Sequence, residues 1–206
     1  MRIGIVGAGN VGRLYSQAWV QRGHDVILSY SRNPDSLAAA AASLGPRAST
    51  SEVEELVECS DVILFAPPFE CIADAAARLG AAGEKIVIDT TNPFNPERTG
   101  LIELGSATAH DHVAEALPEA VLVKAFHNLS VQQASAAMSA HPAAVFVASE
   151  SAEATNAAAR LVIDAGLLPV ATGGRATVSW SEAPGPLFMN VYDVTDAIPA
   201  LNRAAE

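Results

Sequence analysis

Short runs of Val, Ile and Leu recur along the chain, and between them lie stretches whose apolar positions repeat at helical spacing. The apolar runs at 2–6, 25–30, 61–66, 85–90, 120–126, 143–149 and 167–172 read as strands. Most are continuously apolar rather than alternating, as in strands covered on both faces. Helices fit the intervening segments 10–22, 34–44, 49–58, 69–81, 107–117, 130–139 and 151–166. In the third of these, Ser and Thr stand before Glu as in a capped start. Strand and helix in alternation imply an α/β fold, a doubly wound and mainly parallel sheet of Rossmann type.

The alternation stops near residue 174. Residues 1–174 therefore read as one nucleotide-binding domain and 175–206 as a carboxy-terminal extension, loop-like at first and helical from about Pro186 to Ala200. Trp180, Leu187, Phe188, Val191 and Tyr192 make this tail too apolar for a disordered end. Its expected place is against the domain, as a wall of a substrate pocket, or against a second subunit of a homodimer.

Half of the residues are hydrophobic and the net charge is −11, with Lys and Arg scattered. Nucleic-acid binding leans on clustered cations, so that class is set aside. No uninterrupted apolar run approaches the ~18 residues that span a membrane. The amino terminus enters a strand at once, and the two cysteines, Cys59 and Cys71, sit in no metal-like spacing. Both features fit a soluble, cytoplasmic protein with reduced thiols. His110 and His112, separated by one residue, read as a solvated helix start, and no metal is expected.

One segment carries chemistry. Gly7-Ala8-Gly9-Asn10-Val11-Gly12 follows the first strand and opens the first helix, which is G-x-G-x-x-G in its informative context. The first glycine allows the tight turn, the second lets a pyrophosphate approach the backbone, and the third lets helix and strand pack closely. The helix end adds N–H groups and partial positive charge. At the end of the second strand, where NAD-binding chains carry an acid for the ribose 2′-hydroxyl, this chain has Ser31-Arg32-Asn33. An acid would repel a 2′-phosphate, whereas Arg32 offers it a fork of donors and Ser31 a hydroxyl. Asn33-Pro34 reads as a helix cap and first-turn proline, whose neighbouring N–H groups would also face the phosphate. The cofactor expected is NADP(H).

With these residues the chain resembles the NADPH-dependent coenzyme F420 reductase family. "YSRNP", "DVILFAPP", "DTTNPF", "VKAFHNL" and "GLLPVATGG" resemble family segments in order over roughly 1–174. The resemblance implies hydride exchange between NADP(H) and a deazaflavin, coenzyme F420, on a Rossmann-type domain. The chain departs from it at His127-Asn128, where the family commonly has Asn-Thr, and from Thr177 onward. Arg175 and Lys124 are among the few cations placed to meet the acidic tail of such a coenzyme.

In an open parallel sheet, ligands lie at the carboxyl ends of the strands. Ala66-Pro67-Pro68, Thr91-Asn92 and Ala125 with His127-Asn128 fall there and complete the set expected to line the cofactor. Small Ala66 and Ala125 would let it lie on the backbone, the prolines would stiffen the turn, and Thr91, Asn92 and Asn128 would bond ribose or carboxamide. Hydride transfer asks for position and exclusion of water more than for acid or base. His127 is the candidate where a proton accompanies the hydride. The reading is an NADP-dependent oxidoreductase acting on a deazaflavin, a flavin or a small carbonyl or imine. The alternative is a non-catalytic NADP-binding sensor or regulatory module.

Overall fold

The computed structural model describes residues 1–31 and 33–206. Arg32 lies outside the described residues. Eight strands form one sheet in the order β3-β2-β1-β4-β5-β6-β7-β8. They are β1 (Arg2–Val6), β2 (Asp25–Ser29), β3 (Ala48–Thr50), β4 (Val62–Phe65), β5 (Ile86–Asp89), β6 (Val121–Lys124), β7 (Ala144–Ala148) and β8 (Leu168–Gly173). All neighbours pair parallel except β6 and β7, which run antiparallel. The sheet reverses its winding at β1, between β2 and β4, the position where such sheets take ligands.

The described α-helices are α1 (Asn10–Gln21), α2 (Pro34–Leu44), α3 (Leu56–Cys59), α4 (Ile72–Leu79), α5 (Ala109–Ala116), α6 (Val131–Ser139), α7 (Ala152–Asp164), α8 (Val178–Ser181) and α9 (Ala197–Ala204). One face of the sheet buries Tyr15 and Trp19 of α1 with Ala134 of α6 and Ala158 and Leu161 of α7. The other buries Leu56 of α3, Ile72 and Leu79 of α4 and Val113 of α5. Phe126 follows β6 with φ +60° and sets its ring centroid 4.4 Å from that of Tyr15 at a tilt of 52°, which ties the end of β6 to α1.

Two expectations need correction. The segment 49–58 is not one helix: Ala48–Thr50 is the edge strand β3, and a 3-10 turn, Val53–Glu55, leads into the short α3. Its Ser-Thr-Ser run looked like a cap because an edge strand of three residues, largely exposed, carries no apolar alternation. Nor is the tail helical from Pro186 to Ala200; it is helical at Val178–Ser181 and Ala197–Ala204, with irregular chain between. In that irregular stretch Leu187 N–H bonds back to Trp180 O, while Met189 N–H bonds to Asn128 O and Ala144 N–H to Tyr192 O, so turns within the tail and bonds to the domain replace a helical ladder. Leu187, Ala197 and Ala200 bury against Ala144, Phe146 and Val170, and the Tyr192 ring lies edge-on to Phe146. Thus Leu187 and Tyr192 pack on their own sheet, while Met189, Val191, Val194 and Ile198 remain exposed.

Candidate functional site

The glycine loop joins β1 to α1 at the winding switch. Gly7 has φ +104°, and a Cβ there would lie 2.5 Å from the Ala66 carbonyl oxygen. A Cβ on Gly12 would lie 2.3 Å from Gly7 O. Both glycines are thus required by the packing of the protein itself. Gly9 differs: its φ is −79°, it is exposed, and a Cβ would meet nothing within 4 Å. Among the described residues the fold leaves room for a side chain at Gly9, so packing within the chain does not itself require a glycine there.

Helix α1 begins on Gly9 with no side chain accepting from its first turn, and that turn holds no acid. Helices α2, α5, α6 and α7 each receive a side-chain cap, from Asn33, Thr108, Ser130 and Ser151. An uncapped helix start at the surface is a ready anion site. Ala8 is buried under the loop, Asn10 is exposed and Val11 half-buried.

The neighbouring strand ends come to the same edge. Gly7 N–H donates to Ser29 O at the end of β2 (3.1 Å), and Gly7 abuts Ala66 after β4. Ser31 is half-buried; its hydroxyl donates to Asn33 O (3.1 Å) and accepts from Asn33 N–H (3.2 Å). Asn33 Oδ1 accepts from Asp35 N–H (3.0 Å) and Ser36 N–H (3.2 Å). The cap expected at Asn33 is therefore present, but it consumes the N–H groups expected to face a phosphate. Pro67 is buried, with Ala66 and Pro68 partly exposed beside it.

The ends of β5 and β6 look different. Asp89 and Lys124 close these strands as direct register partners and are both fully buried. Lys124 Nζ lies 3.0 Å from Asp89 Oδ2 and 2.7 Å from Glu182 Oε2, and it also donates to Thr91 O. His110 Nδ1 lies 2.8 Å from Asp89 Oδ2, while Asp89 Oδ1 accepts from the Thr91 N–H and hydroxyl, each at 2.7 Å. Glu182, from the loop after α8, also takes the Ala109 and His110 N–H groups at the start of α5. Burial alone would raise the Asp89 pKa, but the Lys124 ammonium and the His110 bond outweigh it and hold the carboxylate well below its usual range.

Several residues expected to line the cofactor turn their side chains into this region. Thr91 is held by Asp89. Asn92 Nδ2 donates to His127 O (2.9 Å), and its Oδ1 accepts from Ala183 N–H (3.0 Å). Asn128 Nδ2 donates to Ala144 O (3.0 Å), and its Oδ1 accepts from Phe146 N–H (3.3 Å). Ala125 is wholly buried beside Phe126 in the core. His127 is 2 % exposed, with Nε2 2.8 Å from the Ser181 hydroxyl. Burial, then the Lys124 charge, push its pKa well below the ordinary 6.5, so the imidazole is neutral. His110 is buried on Asp89 rather than solvated, and Lys124 is not available to an acidic tail. Arg175 is paired with Asp111.

Three features were missed in the sequence. The Asp89–Lys124 pair left a signal, one charged residue closing each of two apolar strands; Glu182, in a distant loop, left none. Arg13 was missed as well. From the first turns of α1 its Nε donates to Ala8 O (2.8 Å) and its Nη2 to Ser36 Oγ (2.9 Å), so its side chain spans the glycine loop and the start of α2.

No curated protein matches the sequence. Among solved structures, a hypothetical protein from Sinorhizobium meliloti is 25% identical with a TM-score of 0.81, over 93% of this chain and 95% of that one. A protein from Arthrobacter sp. FB24, named provisionally as an F420-dependent NADP-reductase, is 20% identical with a TM-score of 0.74, over 85% of this chain and 86% of that one. A 3-hydroxyisobutyrate dehydrogenase from Mycobacterium tuberculosis, 20% identical at a TM-score of 0.60, matches 84% of this chain with 54% of its own length. These likenesses agree on the Rossmann-type fold. Residues 2–93, from β1 through β5 with the glycine loop, match the family described as NADP oxidoreductase, coenzyme F420-dependent, and this match together with the fold indicates an NADP-dependent oxidoreductase.

Proposed function

We propose that the protein exchanges hydride between NADP(H) and an acceptor held at the carboxyl ends of β4, β5 and β6. The acceptor is a deazaflavin of the F420 type, a flavin, or a small carbonyl or imine. The observation that carries this reading is Gly9: it fronts open space at the start of an uncapped α1, in a loop whose other two glycines are explained by packing. A pyrophosphate set there would meet the amides of the Gly7–Gly12 loop (Ala8, Asn10 and Val11 among them) without desolvating a side chain. Ser31 and Asn33, which follow β2 at the adjoining edge, and Arg32 between them in the sequence, are the residues proposed for the adenosine ribose and its 2′-phosphate. Ala66, Pro67 and Pro68 form a small, stiff floor for the reactive ring.

The bound nicotinamide supplies the hydride chemistry. This chain positions the ring and excludes water. Asn92, His127 and Asn128 contribute to that by holding the ends of β5 and β6 against Ala183, Ser181 and Met189, and Thr91 and Ala125 by tying those ends to Lys124 and Asp89. For acceptors that take a proton, His127, buried and neutral, would pass it only by way of the Ser181 hydroxyl on its Nε2. The exposed Met189, Val191, Val194 and Ile198 are the surface through which two copies would associate as a homodimer.

Steady-state oxidation of NADPH against a panel of deazaflavin, flavin, carbonyl and imine acceptors tests the reading. Turnover with one class, and at least ~10-fold tighter NADPH than NADH, is expected from a charge-assisted phosphate contact. Tight NADPH binding with no turnover on any class would instead identify a sensor. Light scattering reads the oligomeric state.

A further inference from the structure

We propose that Arg13, outside the glycine fingerprint, is a second cation for the cofactor's 2′-phosphate and helps set the preference for NADP over NAD. The inference rests on the dinucleotide site proposed above. Its starting point is the state of α2. A phosphate at the end of β2 would ordinarily draw on the N–H groups of the following helix, but here Pro34 has none and Asn33 Oδ1 takes those of Asp35 and Ser36. Leu37 N–H is bonded to Asn33 O. With these N–H groups taken, the start of α2 leaves the anion to side chains.

Arg13 is built for that role. Its guanidinium is anchored by two neutral acceptors, Ala8 O and Ser36 Oγ, and among the described residues no carboxylate lies within salt-bridge distance of it. Arg47, Arg78, Lys124, Arg160 and Arg175 are all paired with acids. The anchors spend the Nε donor and the Nη2 side of the fork, while Nη1 makes no hydrogen bond to the described residues. The side chain is exposed and spans the loop proposed for the pyrophosphate and the turn proposed for the ribose. A phosphomonoester dianion between them would meet a guanidinium already fixed in place, which lowers the entropy cost of binding. In a protein of net charge −11, an anchored cation without an acid partner is also what an anionic ligand needs locally.

The rival role is a staple holding α1 to α2. Arg13→Met keeps the stem and removes the charge, and Arg13→Lys keeps the charge and removes the fork. Calorimetric titration of the full chain with adenosine 2′,5′-bisphosphate, adenosine 5′-monophosphate, NADPH and NADH separates the two roles. Expected for Arg13→Met is a loss of about tenfold for the bisphosphate and NADPH, a weaker salt dependence, and unchanged affinity for the monophosphate and NADH. Arg13→Lys should recover part of the preference. Equal losses for all four ligands, or an unchanged ratio of NADPH to NADH, would overturn the proposal. A wild-type chain that binds NADH as tightly as NADPH would overturn it too, while leaving the dinucleotide site standing. A wild-type chain that binds none of the four would remove the site itself.

Discussion

Helix α1 starts on a bare glycine with nothing capping it, whereas α5 starts under Thr108, Asp111 and Glu182, a carboxylate brought in from the far end of the chain. The two helices follow the opposite halves of one sheet. Around the ends of β1, β2 and β4 the chain leaves a helix end open and, among the described residues, the Arg13 guanidinium without an acid. Around β5 and β6 it buries Asp89, Lys124, His110 and Glu182 and gives each a partner. Capping costs the chain little where a Ser, Thr or Asn is at hand, and it caps α2, α6 and α7 that way. The open half is where the proposed cofactor site lies, and the closed half is the frame that holds residues 181–189 over the strand ends.

The closed half should be the more costly to break. Replacing Lys124 by Met strands two buried carboxylates, and removing one partner of a buried pair costs about 3–5 kcal/mol. Denaturant unfolding of Lys124→Met should show a loss of that order, and Glu182→Gln a smaller one because its amide still reaches Lys124. A change below about 1 kcal/mol would mean that the network is solvated in solution and that the frame does not hold the tail.

The open half answers the opposite test. Gly9→Val should lower NADPH affinity by at least about 100-fold, roughly 2.7 kcal/mol, while the unfolding midpoint stays near that of the parent, because a Cβ there touches nothing. Gly12→Val should instead damage the fold itself, since its Cβ would lie 2.3 Å from Gly7 O. Normal NADPH binding by Gly9→Val would place the cofactor elsewhere.

The same contrast explains what could be read before folding. In the open half the glycine spacing, the strand before it and the cap at Asn33 were legible, since they are local patterns with local consequences; Arg13, which reaches across to Ser36, was not. Nor was the closed half. Asn92 and Asn128 stand where ribose ligands often stand, yet their amides hold Ala183, Ala144 and Phe146, partners that only the tertiary fold supplies. The tail was misread for a related reason: Leu187 and Tyr192 dock on β7 and β8 without helical periodicity, while Met189 and Val191 between them stay exposed. Edge strand β3 was too short and too polar to announce itself.

Acid should expose the closed half selectively. His127 has a folded pKa depressed below 6.5 by burial and by Lys124, so the unfolded chain binds the proton more readily. Its contribution to stability is present above pH 6.5 and is lost as the pH falls towards the folded value. Asp89, held low, adds a second loss as the pH passes down through and below its ordinary 3.8. Urea midpoints at pH 7 and pH 5 should therefore fall on acidification, and His127→Gln should flatten that fall. Equal slopes for parent and variant would show that the imidazole titrates freely and is not sealed by Ser181.

The smallest expected effect is also the most direct exchange of one half's device for the other's. Asn33→Gly removes the side chain that occupies the Asp35 and Ser36 N–H groups and leaves α2 starting on a glycine, as α1 does. Glycine is itself a tolerated cap, so the loss of stability should be only a few tenths of a kcal/mol. The freed N–H groups add a helix-end interaction with an anion, typically about 0.3–1 kcal/mol. Adenosine 2′,5′-bisphosphate and NADPH should then bind slightly tighter, by up to about fivefold, with NADH unmoved. Weaker binding of the bisphosphate would mean that the Asn33 amide itself holds the 2′-phosphate, a role that requires it to turn away from the helix it caps.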